Sequence, residues 1–194
     1  GQYLITENGK KILDFTGGLG VLNHGHNHPR IIDARINYQK NNKMEVHKNY
    51  FSKYTAALSY NLANILPENL CNSFFCNSGA ETVDGALKLA YKYHQGKRKI
   101  VLHSDKAFHG KLIGSGSVSA SDPFLKGDAN FSFQKLQGTD SFKFNSIPSL
   151  ETKIKEHVDK NGESNIYSII IEPFSCSILQ LSLIHISEPT RQEA

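Results

Sequence analysis

Tryptophan is absent from the 194 residues, methionine occurs once (Met44), and cysteine occurs three times, at Cys71, Cys76 and Cys176. An odd cysteine count without metal-ligand spacing excludes a disulfide framework, and reduced thiols in a cytoplasmic protein are expected. No apolar run approaches the roughly 18 residues that a membrane-spanning helix needs. The polar start Gly1-Gln2-Tyr3 is not a signal peptide. Neither sign of charge dominates: Lys+Arg 22 against Asp+Glu 18 leaves +4, too little to argue for nucleic acid. Collagen-like and disordered classes are excluded by 39% hydrophobic and 21% charged residues. What remains is a globular chain able to bury about 70% of its unfolded surface. It begins with glycine in what reads as mid-strand, and is taken as a piece of a longer protein.

Several motifs are also missing. No GxSxG elbow occurs. Gly18-Leu19-Gly20 reaches Asn23 where a GxGxxG fingerprint needs glycine, and Asp105 stands where a GxxxxGK loop before Gly110-Lys111 needs its first glycine. His24, His26 and His28 alternate in one short loop without a spaced fourth ligand, so no metal site is expected.

What is present reads as alternating strands and helices. Residues 3–15 alternate around Asn8-Gly9, a hairpin signal because both residues tolerate positive φ. Pro29 opens a helix through Ile31, Ile32 and Ile36, and residues 51–66 form another that stops at Pro67. Ser73–Cys76 reads as a buried strand, followed by a turn at Asn77–Glu81. Next comes a helix with a buried stripe at Val83, Ala86, Leu87, Ala90, Tyr91 and His94, ended by Gly96. Ser78 and Glu81 have capping-box spacing. With the strand at Ile100–Leu102 this is a βαβ unit of a parallel sheet. Residues 107–141 read as a long Gly/Ser-rich loop with at most one strand, and the stretch from Lys135 to Lys143 with Phe131, Phe133 and Phe142 as a solvated strand edge. Ser149 caps a helix carrying a Glu151–Lys155 pair and ended by Asn161-Gly162; Tyr167–Ile171 is an apolar strand ending at Glu172-Pro173.

Three places can hold chemistry. Ser78, Gly79 and Ala80 open a helix, where free amides, small side chains and the positive dipole end make a phosphate seat; the alternative is an ordinary capped helix. Phe108 and His109 follow a strand's carboxyl end, where open α/β sheets bind ligands, and are planar groups able to stack on a heteroaromatic ring; the alternative is a packing lid. Glu172, at another strand's carboxyl end, can orient a cofactor or simply face water.

Together these residues resemble the class III, omega-amino acid type, pyridoxal-phosphate aminotransferases. The matching residues are Tyr3, Asp14-Phe15, Gly17–Gly20, Gly25–Pro29, Phe75–Glu81, Ala86–Ala90, Ala107–Gly110 and Ile170–Pro173, in register from residue 3 to about 174. The resemblance implies an α/β fold-type I transferase in partial form: a mostly parallel sheet with flanking helices. Residues 1–50 would belong to the small domain and 51–178 to the large cofactor-binding domain. It implies pyridoxal 5'-phosphate held by Ser78, Gly79 and Ala80, with Phe108 on the ring, His109 lining the pocket and Glu172 in the adjoining hydrogen-bond network. Asn49 and Tyr50 fall on the substrate side. The partners implied are an amino donor and a 2-oxo acid, with ping-pong amino transfer in a homodimer; an aminomutase or decarboxylase of the same fold, or a non-catalytic phosphate-binding module, are the alternatives.

The chain departs from the family pattern in two ways. The family's pyridinium-pairing aspartate and its Schiff-base lysine come after the Glu-Pro pair, beyond Ala194, so no catalytic residue is assigned and the chain alone is expected to be inactive. Ser175-Cys176-Ser177 stands where many members read Gln-Gly-Glu. Residues 179–194 match no family segment and are read as an artefactual tail.

Overall fold

The computed structural model describes residues 1–44, 50–67, 69–120, 135–175 and 180–181. The chain divides into two compact units, Gly1–Asn72 and Ser73–Ala194.

In the first unit, β1 (Tyr3–Ile5) and β2 (Lys11–Leu13) pair antiparallel, with Leu4 opposite Ile12. Of the expected Asn8-Gly9 turn, only Gly9 takes a positive φ, 80°; its amide donates to the Thr6 carbonyl at 2.8 Å. That is a turn through Glu7-Asn8 with glycine in the left-handed position after it, so asparagine is spared the strained backbone. Gly17–Gly20 (α1) is a left-handed turn with φ positive at all four residues. Three glycines take this conformation freely, whereas Leu19 incurs about 1–2 kcal/mol. Asp14 secures the turn by accepting from the Thr16 and Gly17 amides and from the Thr16 hydroxyl. That hydroxyl and the His26 ring, 2.8 Å away, hold the Asp14 carboxyl well below the usual carboxylate range. α2 (Pro29–Lys40) starts on proline as expected, and α3 (Lys53–Ile65) is capped by Ser52, whose Oγ accepts the Thr55 amide at 3.3 Å.

In the second unit, α4 (Gly79–Tyr93) leads to β3 (Ile100–Ser104), α5 (Ile113–Ser117), β4 (Thr139–Phe142), α6 (Ile147–Glu156) and β5 (Ile166–Ile170). β3 is central in a parallel sheet of order β4-β3-β5, with Leu102 opposite both Asp140 and Ile169. Parallel pairing puts all three carboxyl ends on one edge. Leu102, Phe142 and Ile166 form the core, with Ile100, Leu150, Ile154 and Ile171 packed against it. Each such burial contributes about 1.5–3 kcal/mol. β6 (Phe174–Ser175) and β7 (Gln180–Leu181) form a short antiparallel pair.

The second unit corrects seven expectations. Ser73–Cys76 is not a strand: it has no ladder partner among the described residues, and Phe74 and Phe75 are 80% and 42% exposed. A strand exists only through its neighbour, and apolar composition cannot supply one. The α4 stripe is half-buried at Val83, Leu87, Ala90 and His94 and exposed at Ala86 and Tyr91, for want of a layer over its other side. The 107–141 loop contains α5, formed by small residues that let it pack closely. Phe142, read as part of a solvated edge, is 1% exposed in the core; Phe131 and Phe133 lie outside the described residues. α6 is capped by Ser146, whose Oγ accepts the Ser149 amide at 3.3 Å, while Ser149 accepts from the Lys143 amide at 3.0 Å. Proline in the first turn explains the earlier start. α6 also ends at Glu156, before Asn161-Gly162, and its ion pairs run from Lys153 to Asp140 at 3.1 Å and to Glu156 at 2.8 Å rather than between Glu151 and Lys155. Cys71 and Cys76 are free thiols; Cys176 and residues 182–194 lie outside the described residues.

Candidate functional site

The site lies at the carboxyl edge of the three-stranded sheet, where the start of α4, the segment after β3 and Glu172, two residues past β5, converge. Ser78 is extended (φ −149°, ψ 159°), and its Oγ accepts the Glu81 amide at 3.2 Å. Glu81 reaches back to the Asn77 amide at 2.7 Å, one residue beyond the expected Ser78 partner. The capping pair therefore satisfies the amides on either side of the helix start and leaves the middle bare. The N–H groups of Gly79 and Ala80 have no acceptor among the described residues. A Cβ built on Gly79 would meet nothing within 4 Å, so the space beside the first of these two residues is empty. The Ser78 hydroxyl, engaged among the described residues only as an acceptor, keeps its proton available. Two free amides, a hydroxyl and the positive end of a 15-residue helix make a donor set suited to a phosphate monoester. The residues fit such a group.

The segment after β3 packs onto this seat. Gly110, at φ 135°, lies so close to Ala80 that a Cβ on it would come within 2.7 Å of the Ala80 Cβ and of the Ser115 Oγ. Its backbone conformation excludes other L-residues as well. Replacing Gly110 by alanine is accordingly expected to push the segment off α4. Limited proteolysis between Phe108 and Leu112 should accelerate at least tenfold, and unchanged cleavage would contradict the packing. Phe108 is half exposed, with its ring free to cover a planar ligand, and its amide donates to Glu172 Oε2 at 2.9 Å. Glu172 thus ties the end of β5 to the segment after β3, an explicit contact that the sequence reading placed only as part of a network.

His109 is turned inward. Its amide donates to Ser119 Oγ at 2.8 Å, and its buried Nε2 has no hydrogen-bond partner among the described residues. Burial pushes its ring pKa down to about 4, with His103 nearby adding to the shift. His103 is itself buried and depressed for the same reason, with Nδ1 2.9 Å from the Ser104 carbonyl. The sign follows from linkage. An unfolded histidine takes its proton near pH 6.5 (about), whereas folded His109 resists until about 4. Its contribution to stability is therefore whole above the first value and is lost as pH falls toward the second. A ring-proton NMR titration should give a His109 midpoint near 4; an ordinary histidine midpoint would refute the burial argument.

Of the residues expected from sequence, Ser78, Gly79, Ala80, Phe108, His109 and Glu172 come together in the second unit. Tyr50 belongs to the first unit and is exposed; Asn49 lies outside the described residues. The alternating histidines do other work: His26 pairs with Asp14, and the His24 and His28 rings meet edge to face at 5.8 Å. Asp84 and Ser119, which the sequence reading did not single out, anchor the surroundings of the site. Their only signal was the small-residue run Gly114–Ser119, which permits close helix approach.

Comparison with known proteins matches residues 1–177 to a family model described as Aminotransferase class-III. Among solved structures, an (S)-enantioselective omega-transaminase from Thermomicrobium roseum superposes with TM-score 0.81 at 22% identity, covering 99% of this chain and 47% of its own. A transaminase from a marine Virgibacillus gives 0.75 at 26%, covering 90% and 40%. An ornithine aminotransferase from Toxoplasma gondii gives 0.71 at 22%, with the same coverage of 90% and 40%. The chain thus spans less than half the length of each.

Proposed function

Because the chain belongs to the class-III aminotransferase family, whose members use pyridoxal phosphate, we propose that it is the cofactor-gripping part of an aminotransferase. The whole enzyme would move an amino group from an omega-amino acid or diamine to a 2-oxo acid. The observation that carries this is the pair of amides at Gly79 and Ala80 that meet no acceptor among the described residues, with the Phe108 segment packed against the same helix turn. When bound, the cofactor supplies an electron sink for the amine-bearing carbon. The chain's own residues bind and orient. The Gly79 and Ala80 amides and the Ser78 hydroxyl grip the phosphate. Phe108, held by its amide on Glu172, would cover the ring and shield it from water. His109, uncharged at neutral pH, lines the same pocket without adding charge.

The remaining assignments are proposals of the same kind. Residues 1–50 go to a small domain and 51–178 to a large one; Asn49 and Tyr50 go to the substrate side; the enzyme works as a cytoplasmic homodimer. Among the described residues no helix is long and apolar enough to cross a membrane. The chain alone is proposed not to turn over, since the family's imine-forming lysine belongs downstream of Glu172-Pro173.

The test is a titration of the 194-residue chain with pyridoxal 5'-phosphate in dilute solution, followed by circular dichroism of the bound chromophore. Saturable one-site binding that inorganic phosphate displaces supports the reading; binding that phosphate leaves untouched, as random lysine adducts would be, overturns it. Dependence of amino transfer on a 2-oxo acid, measured on a longer polypeptide containing this chain, then separates a transaminase from an aminomutase, which needs no such acceptor.

A further inference from the structure

The two halves of the proposed site stand on different elements. The phosphate seat is on α4, whereas Phe108 and His109 are on an irregular segment with no helix or ladder of its own to fix it. A ring and a phosphate belonging to one small molecule need both halves held at a constant separation. Two hydrogen-bonded anchors, both meeting on α5, provide this.

The first is Asp84, on α4 itself. Its Oδ1 accepts the Ser115 amide at 2.6 Å, and a Cβ on Gly114 would fall 2.6 Å from the same oxygen. A charged acceptor on a main-chain donor is among the stronger hydrogen bonds, and glycine is what lets the two helices come so near. α5 is thereby fixed to the helix that carries the seat. The second is Ser119, just beyond the end of α5 and 4% exposed. Its Oγ accepts the His109 amide at 2.8 Å and lies 2.8 Å from the Ser115 carbonyl and 3.3 Å from the Gly110 carbonyl. The hydroxyl has one proton for those two carbonyls and accepts from His109 with either choice. In so buried a place, its removal strands the His109 amide without water to replace it.

We propose that Asp84 and Ser119 are positioning residues for the cofactor: Asp84 locks α5 to the phosphate seat, Ser119 locks the ring-covering segment to α5, and neither touches the ligand. This rests on the reading of the site given above and adds a division of labour to it. The phosphate should be bound by α4 alone, and the ring's share of the affinity should depend on the two anchors.

The experiment compares two probes on the full chain: inorganic phosphate, and 4-deoxypyridoxine 5'-phosphate, which has the ring but no aldehyde to react with surface lysines. Ser119→Ala is measured beside Ser117→Ala. Ser117, the last residue of α5, is also buried, but its Oγ donates to the Ile113 carbonyl at 2.6 Å and accepts from the Leu136 amide at 2.9 Å, away from the segment. Expected for Ser119→Ala is about a tenfold loss of deoxypyridoxine phosphate affinity, the equivalent of one buried hydrogen bond, with phosphate affinity unchanged. Asp84→Asn should act in the same direction, and Ser117→Ala should leave the ratio of the two affinities as it is. Equal loss in both serine variants, or parallel loss for both probes, would overturn the proposal in favour of general loosening. Hydrogen exchange at the His109 amide supplies the independent readout. It should quicken at least tenfold in Ser119→Ala and not in Ser117→Ala. If the parent binds neither probe, the reading of the site fails, and the anchor is then decided by exchange alone: equal protection in parent and Ser119→Ala overturns it.

Discussion

Replacing Gly79 by proline is expected to leave α4 standing while removing most of the affinity for pyridoxal 5'-phosphate. Gly79 is the first residue of the helix, where proline is well tolerated because its missing N–H has no intrahelical acceptor in any case. The residue before a proline must be extended, and Ser78 already is, at φ −149° and ψ 159°. The space a side chain would enter is empty to 4 Å. The substitution therefore deletes one phosphate donor at little structural cost. A hydrogen bond to a charged group is worth about 1.5–3 kcal/mol, which corresponds to a loss of roughly tenfold to a hundredfold or more. Gly79→Ala keeps the N–H and should bind nearly as well as the parent. Far-ultraviolet circular dichroism checks that the helix survives, and titration reads the binding. Undiminished binding by the proline variant would place the phosphate somewhere other than the start of α4.

The second large effect concerns association. Expressed alone, the chain is expected to form concentration-dependent oligomers and to aggregate at high concentration. Aromatic surface is laid open in both units: Phe15 and Phe51 are 90% and 86% exposed in the first, Phe74 and Tyr93 80% and 81% in the second. Such apolar surface seeks cover. Among the described residues, β4 and β5 each pair on one side only, and open strand edges template further pairing. The pair of substitutions Phe74→Lys and Phe75→Lys should raise the soluble fraction several-fold, because it places charge on an exposed aromatic pair with no ladder partner among the described residues. Sedimentation velocity across a concentration series is the measurement. A parent chain that stays monomeric and melts cooperatively would show that these surfaces are innocuous.

The elements legible in the sequence were those set by local chemistry. Asn8-Gly9 announced the hairpin and Pro29 a helix start; Ser78 with Glu81 marked the opening of α4, and the apolar run before Glu172 marked β5. What failed did so for want of a partner. Ser73–Cys76 has the composition of a strand and none of the pairing. Phe142 looked like a surface aromatic until β3 and α6 closed over it. Ser149 looked like a cap, yet Ser146 three residues earlier took that place because Pro148 fits the first turn.

The same division runs through the site. Ser78, Gly79 and Ala80 could be named from the sequence because a helix start makes its donors within a few residues, by backbone geometry alone. That these donors meet no acceptor among the described residues, that Gly110 presses on Ala80, and that Glu172 holds the Phe108 amide across 64 positions of chain are decided only by the tertiary structure. Asp84 and Ser119 belong wholly to that second class. A carboxylate on an exposed-looking helix face and a serine in a loop-like run acquire their meaning from the element packed against them, and spacing along a chain carries no record of that.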